Sequence, residues 1–184
     1  MDDEQIRAVS VGEVPTCQEI VLVEYDPQWP ALFEQAAGQI QGALGDAALQ
    51  IHHVGSTSVP GLMAKPRIDI NLVVADTTDE EAYVPKLEAA GYVLRVREPD
   101  WFEHRMFRGS EPPVNLHVFP PDCPEVERML LFRDWLLTNE VDRELYTRTK
   151  RELGAREWKY VQNYADAKTA VVEEILARAS ATLD

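Results

Sequence analysis

The chain has 184 residues, 45% apolar and 27% charged, the make-up of one globular domain able to bury about two-thirds of its unfolded surface. A formal net charge of −14 opposes a protein that coats nucleic acid through its phosphates. No apolar run approaches the roughly 20 residues that span a bilayer, and the acidic start Met1-Asp2-Asp3-Glu4 lacks the basic and apolar regions of a signal peptide.

A cytoplasmic protein is therefore expected, with Cys17 and Cys123 as isolated reduced thiols. Residues 1–18 show no period and are read as a flexible N-terminal arm, leaving 19–184 as a single domain. Ile20–Tyr25 reads as a short strand. Asp26 then caps an amphipathic helix carrying Trp29, Leu32, Phe33, Ala36, Ile40 and Leu44 at three- and four-residue steps, closed by Gly45. Leu49–Val54 is the next strand and leads into a loop from Gly55 to Gly61. Arg67–Val74 is a strand with Ile68, Ile70, Leu72 and Val74 on one face and Arg67, Asp69 and Asn71 on the other. Thr77 with Glu80 forms a capping box for a helix ending at Gly91. Strands over 92–97, 103–108 and 114–119 follow, then helices over 124–138, 140–153 and 159–180. This order describes an α/β or α+β domain with a mixed sheet and a helical C-terminal region.

The loop Gly55-Ser56-Thr57-Ser58-Val59-Pro60-Gly61 is either a plain surface turn or a seat for phosphate, with three hydroxyls beside backbone N–H groups. Asp69 lies 13 positions after Ser56 inside an apolar strand, where an ionised carboxylate needs an ion pair or a metal. The ion-pair reading gives it Arg67 or Arg105. His117 sits between Leu116 and Val118, on the strand face opposite to theirs; beside the Asp69 strand it would serve as metal ligand, acid/base or phosphate donor. Arg133 and Lys168 interrupt apolar helix stripes. They either snorkel to the rim or converge with Arg105 on an anionic ligand, with Lys65 and Lys150 as further candidates. His52 and His53 are read as structural.

Taken together, His53–Leu62, Ala64–Ile70, Phe107-Arg108, Leu116–Val118, Leu131–Leu136, Lys150–Leu153, Tyr164 and Ala167-Lys168 resemble the GrpB family (UPF0157), a branch of the nucleotidyltransferase superfamily. The resemblance implies a nucleotidyltransferase-like fold in which a Gly-Ser pair holds nucleoside triphosphate phosphates and three acids bind divalent metals. Mapped here, Gly55-Ser56 is the pair and Asp69 the first acid, while Asn71 and His117 stand at the second and third acid positions. Losing two negative charges disfavours a metal pair and leaves one Mg²⁺ or Mn²⁺, held by Asp69 and His117 together with the nucleotide's own phosphates. Some members of that family are fused to a dephospho-CoA kinase; this chain has no Walker A loop. The expected partner is a nucleoside triphosphate or another phosphorylated or acidic small molecule, rather than nucleic acid or membrane. Two outcomes stay open: nucleotidyl transfer to a small acceptor, with Asp69, Asn71 and His117 at the chemistry, or a degenerate ligand-binding or partner-docking module.

Overall fold

A computed structural model of the chain describes residues 1–14, 16 and 19–182. Cys17 lies outside the described residues, and Cys123 is a buried free thiol. Five strands, β1 (Gln50–Val54), β2 (Ile68–Val73), β3 (Val93–Glu98), β4 (His104–Ser110) and β5 (Pro113–Phe119), form one sheet in the order β1-β2-β5-β4-β3. Only the central pair, β2 and β5, runs parallel, so the sheet is mixed. Helices α1 (Asp3–Val9), α2 (Trp29–Leu44) and α3 (Glu80–Ala89) precede β3 in the chain, and α4 (Pro124–Thr138), α5 (Glu140–Gly154), α6 (Val161–Asp166) and α7 (Thr169–Ser180) follow β5. Among the described residues no helix is long and apolar enough to cross a membrane.

Period-two alternation divides the sheet's side chains between two helical layers. Ile68, Ile70 and Leu72 of β2, Val114, Leu116 and Val118 of β5 and Phe107 of β4 form the main core with Ala36 and Ile40 of α2 and Tyr83 and Leu87 of α3. Each fully buried Ile or Leu there stabilises the fold by about 1.5–3 kcal/mol. On the other face Val73 and Phe119 pack with Val126 at the start of α4. Leu136, Tyr146 and Ile175 join α4, α5 and α7 to Val59 and Leu62 of the loop after β1. The polar residues of β2 and β5 are thus trapped between the sheet and the C-terminal helices.

Four expectations from the sequence change. Residues 3–9 of the arm form α1, capped by Asp2, with Ile6 buried and Ser10 bridged to Val96 on β3. Residues 20–25 make one bridge, Val23 to Ala64, in place of a strand, because Ile20 and Leu22 turn away to pack on Leu153 and Tyr164. The Thr77–Glu80 capping box does not form: the Glu80 carboxylate is drawn to the guanidinium groups of Arg97 and Arg105, which bind it more strongly than one amide N–H does. The last helix is broken at Ala167-Lys168, and the break places the Lys168 ammonium 4.9 Å from the centre of the Tyr164 ring.

Candidate functional site

A cleft of about 350 Å³ opens between the polar face of β2, β5 and β4 and the helices α4 to α7. The turn after β1 forms one wall. Gly55 has φ +70°, ψ −169°, a conformation open essentially to glycine alone, and a Cβ there would stand 2.6 Å from Asp69 Oδ2. The loop and the acid therefore share one cleft, and the absent side chain keeps the carboxylate accessible. Ser56–Ser58 then make one turn of 3₁₀-helix, whose successive side chains point about 120° apart. Only the Ser56 hydroxyl reaches the cleft. Thr57 is buried with its hydroxyl 2.9 Å from His53 Nε2, and the Ser58 hydroxyl donates to the Gly55 carbonyl at 2.6 Å.

Lys150, on α5, is buried beneath this turn. Its ammonium donates to Ser56 Oγ at 3.0 Å and to the Met63 carbonyl, and lies 4.7 Å from the centre of the Tyr146 ring. The Tyr146 phenol is pushed up to about 12 by burial. Lys65 and Lys168 approach the Tyr164 ring at 5.7 and 4.9 Å. Burial pushes Lys150 down to about 7 and Lys65 to about 8, and lowers Lys168 as well. Repulsion from Lys168 lowers Lys150 and Lys65 further, while Asp69 opposes the drop in all three. Arg67 and Arg108 complete the lining, both lowered by burial, and Arg67 donates to the carbonyls of Gly109 and Val114 at 3.2 and 3.1 Å.

Asp69 faces these cations with Oδ1 accepting from Asn115 Nδ2 at 2.7 Å. Lys65, Arg67, Arg108, Lys150 and Lys168 make no ion pair among the described residues, and the remaining charged lining residues, Glu125 and Arg128, pair with each other at 3.0 Å. The lining thus holds six cations against two carboxylates in a chain whose net charge is −14.

The sequence brought Gly55, Ser56, Lys65, Asp69, His117, Lys150 and Lys168 to this cleft, and they line it. Thr57, Ser58, Asn71, Arg105 and Arg133 do not. Asn71 is buried under α4, where its Nδ2 meets Met129 Sδ at 3.2 Å. Arg105 points to the opposite side of the sheet, since it shares strand parity with the core residue Phe107, and pairs with Glu80 at 2.7 Å. Asp69 is therefore paired with neither arginine. Arg133 donates to the His53 carbonyl at 3.0 Å and pairs with the exposed Asp134. His53 stacks on Phe33 at 4.7 Å, and burial pushes it down to about 4. Arg67, Arg108 and Asn115 were missed as site residues, although strand parity with Asp69 and His117 marks Arg67 and Asn115, and Arg108 lies level with Asn115 on β4; Tyr146 lies one helical turn before Lys150.

β2 and β5 are neighbours, as the reading of His117 required: Asp69 is level with Asn115 and Asn71 with His117. His117 lines the cleft in neutral form, pushed down to about 4 by burial and by nearby His104. For a resident divalent ion the donors fall short. Among the described residues no three His, Cys, Asp or Glu side chains come together as a ligand set, and the one free carboxylate of the cleft already acts on the charges of Lys65, Lys150 and Lys168. Among the described residues the buried Asn115 Oδ1 and the Tyr164 hydroxyl, both from the lining, have no hydrogen-bond partner.

The family described as GrpB protein matches residues 19–178. UPF0157 protein BH1888 of Halalkalibacterium halodurans is 58% identical over 181 residues, covering 98% of this chain and 93% of that protein. The crystal structure of the conserved protein GrpB from Enterococcus faecalis aligns at a TM-score of 0.73 and 28% identity, over 86% of this chain and 96% of that one. The Cid1 poly(U) polymerase in its MgGTP-bound form aligns at 0.51 and 10% identity, over 71% of this chain and 43% of that one. That last likeness concerns the fold alone, which is nucleotidyltransferase-like. With the family match spanning most of its length and a relative this similar across nearly all of it, the chain belongs to the GrpB family.

Proposed function

We propose that the cleft binds a phosphorylated small molecule, with a nucleotide as the favoured class, through Ser56, Lys65, Lys150 and Lys168 and without a tightly held metal ion. The observation that carries this reading is the set of five cleft cations with no ion-paired carboxylate. Burying a cation without a counter-ion is costly, and the lowered lysines record that cost. A phosphate dianion or polyphosphate removes it. Entering beside Ser56, it meets ammonium groups already held by Tyr146, Tyr164 and the Met63 carbonyl, so little ordering is left to do on binding. Asp69 sets the depth of entry, since a phosphate driven against it is repelled.

A second reading follows from the clearance that Gly55 leaves at Asp69 Oδ2. One Mg²⁺ or Mn²⁺ arriving on the ligand's own phosphates fits there, and nucleotidyl transfer to a small acceptor belongs to that reading. Calorimetric titration with ATP and with inorganic tripolyphosphate, in EDTA and then in Mg²⁺, tests both. Binding that persists in EDTA is expected. Binding that appears only with the divalent ion favours the second reading, and no binding by either probe in either buffer defeats both.

A further inference from the structure

Lys65, Arg67, Arg108, Lys150 and Lys168 can only donate hydrogen bonds, and phosphate oxygens can only accept them. His117 faces the same cleft but is held by a different kind of neighbour. Glu98, His104 and His117 lie on three adjacent strands, β3, β4 and β5, with Glu98 and His104 directly opposite each other in register. Glu98 Oε2 is 2.7 Å from His104 Nδ1, and His104 Nε2 is 3.0 Å from His117 Nδ1. His104 is 3% exposed. It stacks on Phe119 at 4.7 Å and meets Trp101 at right angles at 5.0 Å, contacts that hold its ring in place.

The direction of each hydrogen bond follows from this order. A carboxylate only accepts, so His104 Nδ1 carries the proton. An imidazole in its neutral form has one donor and one acceptor; with His104 in that form its Nε2 accepts, and His117 Nδ1 donates to it. His117 Nε2 is left with a lone pair. A fully ionised phosphate has no hydrogen to give it. Serving as phosphate donor, one of the roles read from the sequence, is therefore closed to His117. A hydroxyl or amine fits.

We infer that Glu98, His104 and His117 form a tautomer-fixing chain that makes His117 Nε2 the acceptor subsite of the cleft, taking a hydrogen bond from a hydroxyl or amino group of the ligand whose phosphate the lysines hold. Glu98 and His104 are positioning residues that act through His117. The ligand half of this inference rests on the phosphorylated-ligand reading above, whereas the tautomer half stands without it.

Two measurements separate the halves. Long-range ¹H–¹⁵N spectra of histidine-labelled protein at pH 8, without ligand, distinguish protonated from unprotonated ring nitrogens. The expected result is a protonated Nδ1 and an unprotonated Nε2 on His117. Glu98→Ala shifts both signals toward a mixture of tautomers, and Glu98→Gln, which keeps an acceptor oxygen, restores the wild-type pattern. A protonated Nε2 in the wild type, as a doubly protonated His104 would impose, overturns the chain; so does a spectrum that Glu98→Ala leaves unchanged. For the ligand half, His117→Ala weakens ATP binding about tenfold and leaves inorganic tripolyphosphate unaffected. His117→Gln, which keeps an acceptor, loses less. Equal weakening of both probes, or no change for ATP, overturns the subsite. If neither probe binds the wild type, the phosphate reading and the ligand half fall together, and the histidine spectra still judge the chain.

Discussion

Arg105 and Arg108 stand three residues apart on β4 and face opposite sides of the sheet. Arg105 looks toward α3, is buried, and is bound by Glu80 at 2.7 Å. Arg108 looks toward the C-terminal helices, is half-buried, and has no ion pair among the described residues. The contrast extends to each whole face. Toward α2 and α3, the strands present Ile, Leu, Val and Phe almost without interruption. Toward α4 to α7, they present Asp69, Asn115, His117, Arg67 and Arg108, and two buried amide oxygens, Asn71 Oδ1 and Asn115 Oδ1, have no partner among the described residues. Charge on the first face is neutralised within the fold. On the second it is left for something from outside, which is the usual sign that stability was relinquished for binding.

The comparison breaks if charges on the two faces respond alike. Glu80→Ala gives the largest stability change, about 2–3 kcal/mol in urea denaturation, because it leaves the buried Arg105 only its longer 3.5 Å pair with the exposed Glu103; tripolyphosphate affinity is unchanged. The same pair sets an acid limit. Glu80 is held at about 2, chiefly by hydrogen bonding to Arg97, below its ordinary 4.5. Its contribution is whole above the ordinary value and is lost as pH falls through about 2. Gly55→Ala costs about 1–3 kcal/mol and also abolishes binding, since the new Cβ meets Asp69 Oδ2.

Cleft lysines titrate with the same sign in an alkaline window, but their lowered values record a burial penalty where that of Glu80 records a gain. Their folded values lie below the unfolded one, so the unfolded chain holds more protons between about 7 and 10.5, and the free protein gains stability from Lys150 as pH rises through that window. An anion needs the charged form. Tripolyphosphate affinity therefore falls about tenfold from pH 7 to 9, and calorimetry at pH 8 in buffers of different ionisation enthalpy shows proton uptake on binding. Affinity that rises over this range removes the lysines from the site. The smallest effect is reserved for Arg133→Ala: about 1 kcal/mol of stability, from the lost hydrogen bond to the His53 carbonyl, and unaltered binding.

Strand parity was the part of this architecture most legible in the sequence. It gave the apolar and polar faces of β2 and β5, and it put Asp69 and His117 on the same side. Read one strand further, it also separates Arg105 from Arg108 and adds Arg67 and Asn115 to the cleft. The glycine after β1 announced the close approach that Asp69 now fills. Helix docking was not legible. Nothing local distinguishes Lys150, buried under Ser56, from Arg133, spent on a backbone carbonyl, because the difference lies in which turn of α4 or α5 meets the loop. His104 carried no signal either, since its partners depend on how β3, β4 and β5 align.

Lys150→Met decides between a cation that holds the fold together and one kept for a ligand. The variant's melting temperature, read with and without saturating tripolyphosphate, should start at or above the wild-type value and show no rise on adding the anion, because a buried charge without a counter-ion has been replaced by an apolar chain of similar length. A lower starting temperature together with an undiminished ligand-induced rise would contradict the assignment of this face to anion binding.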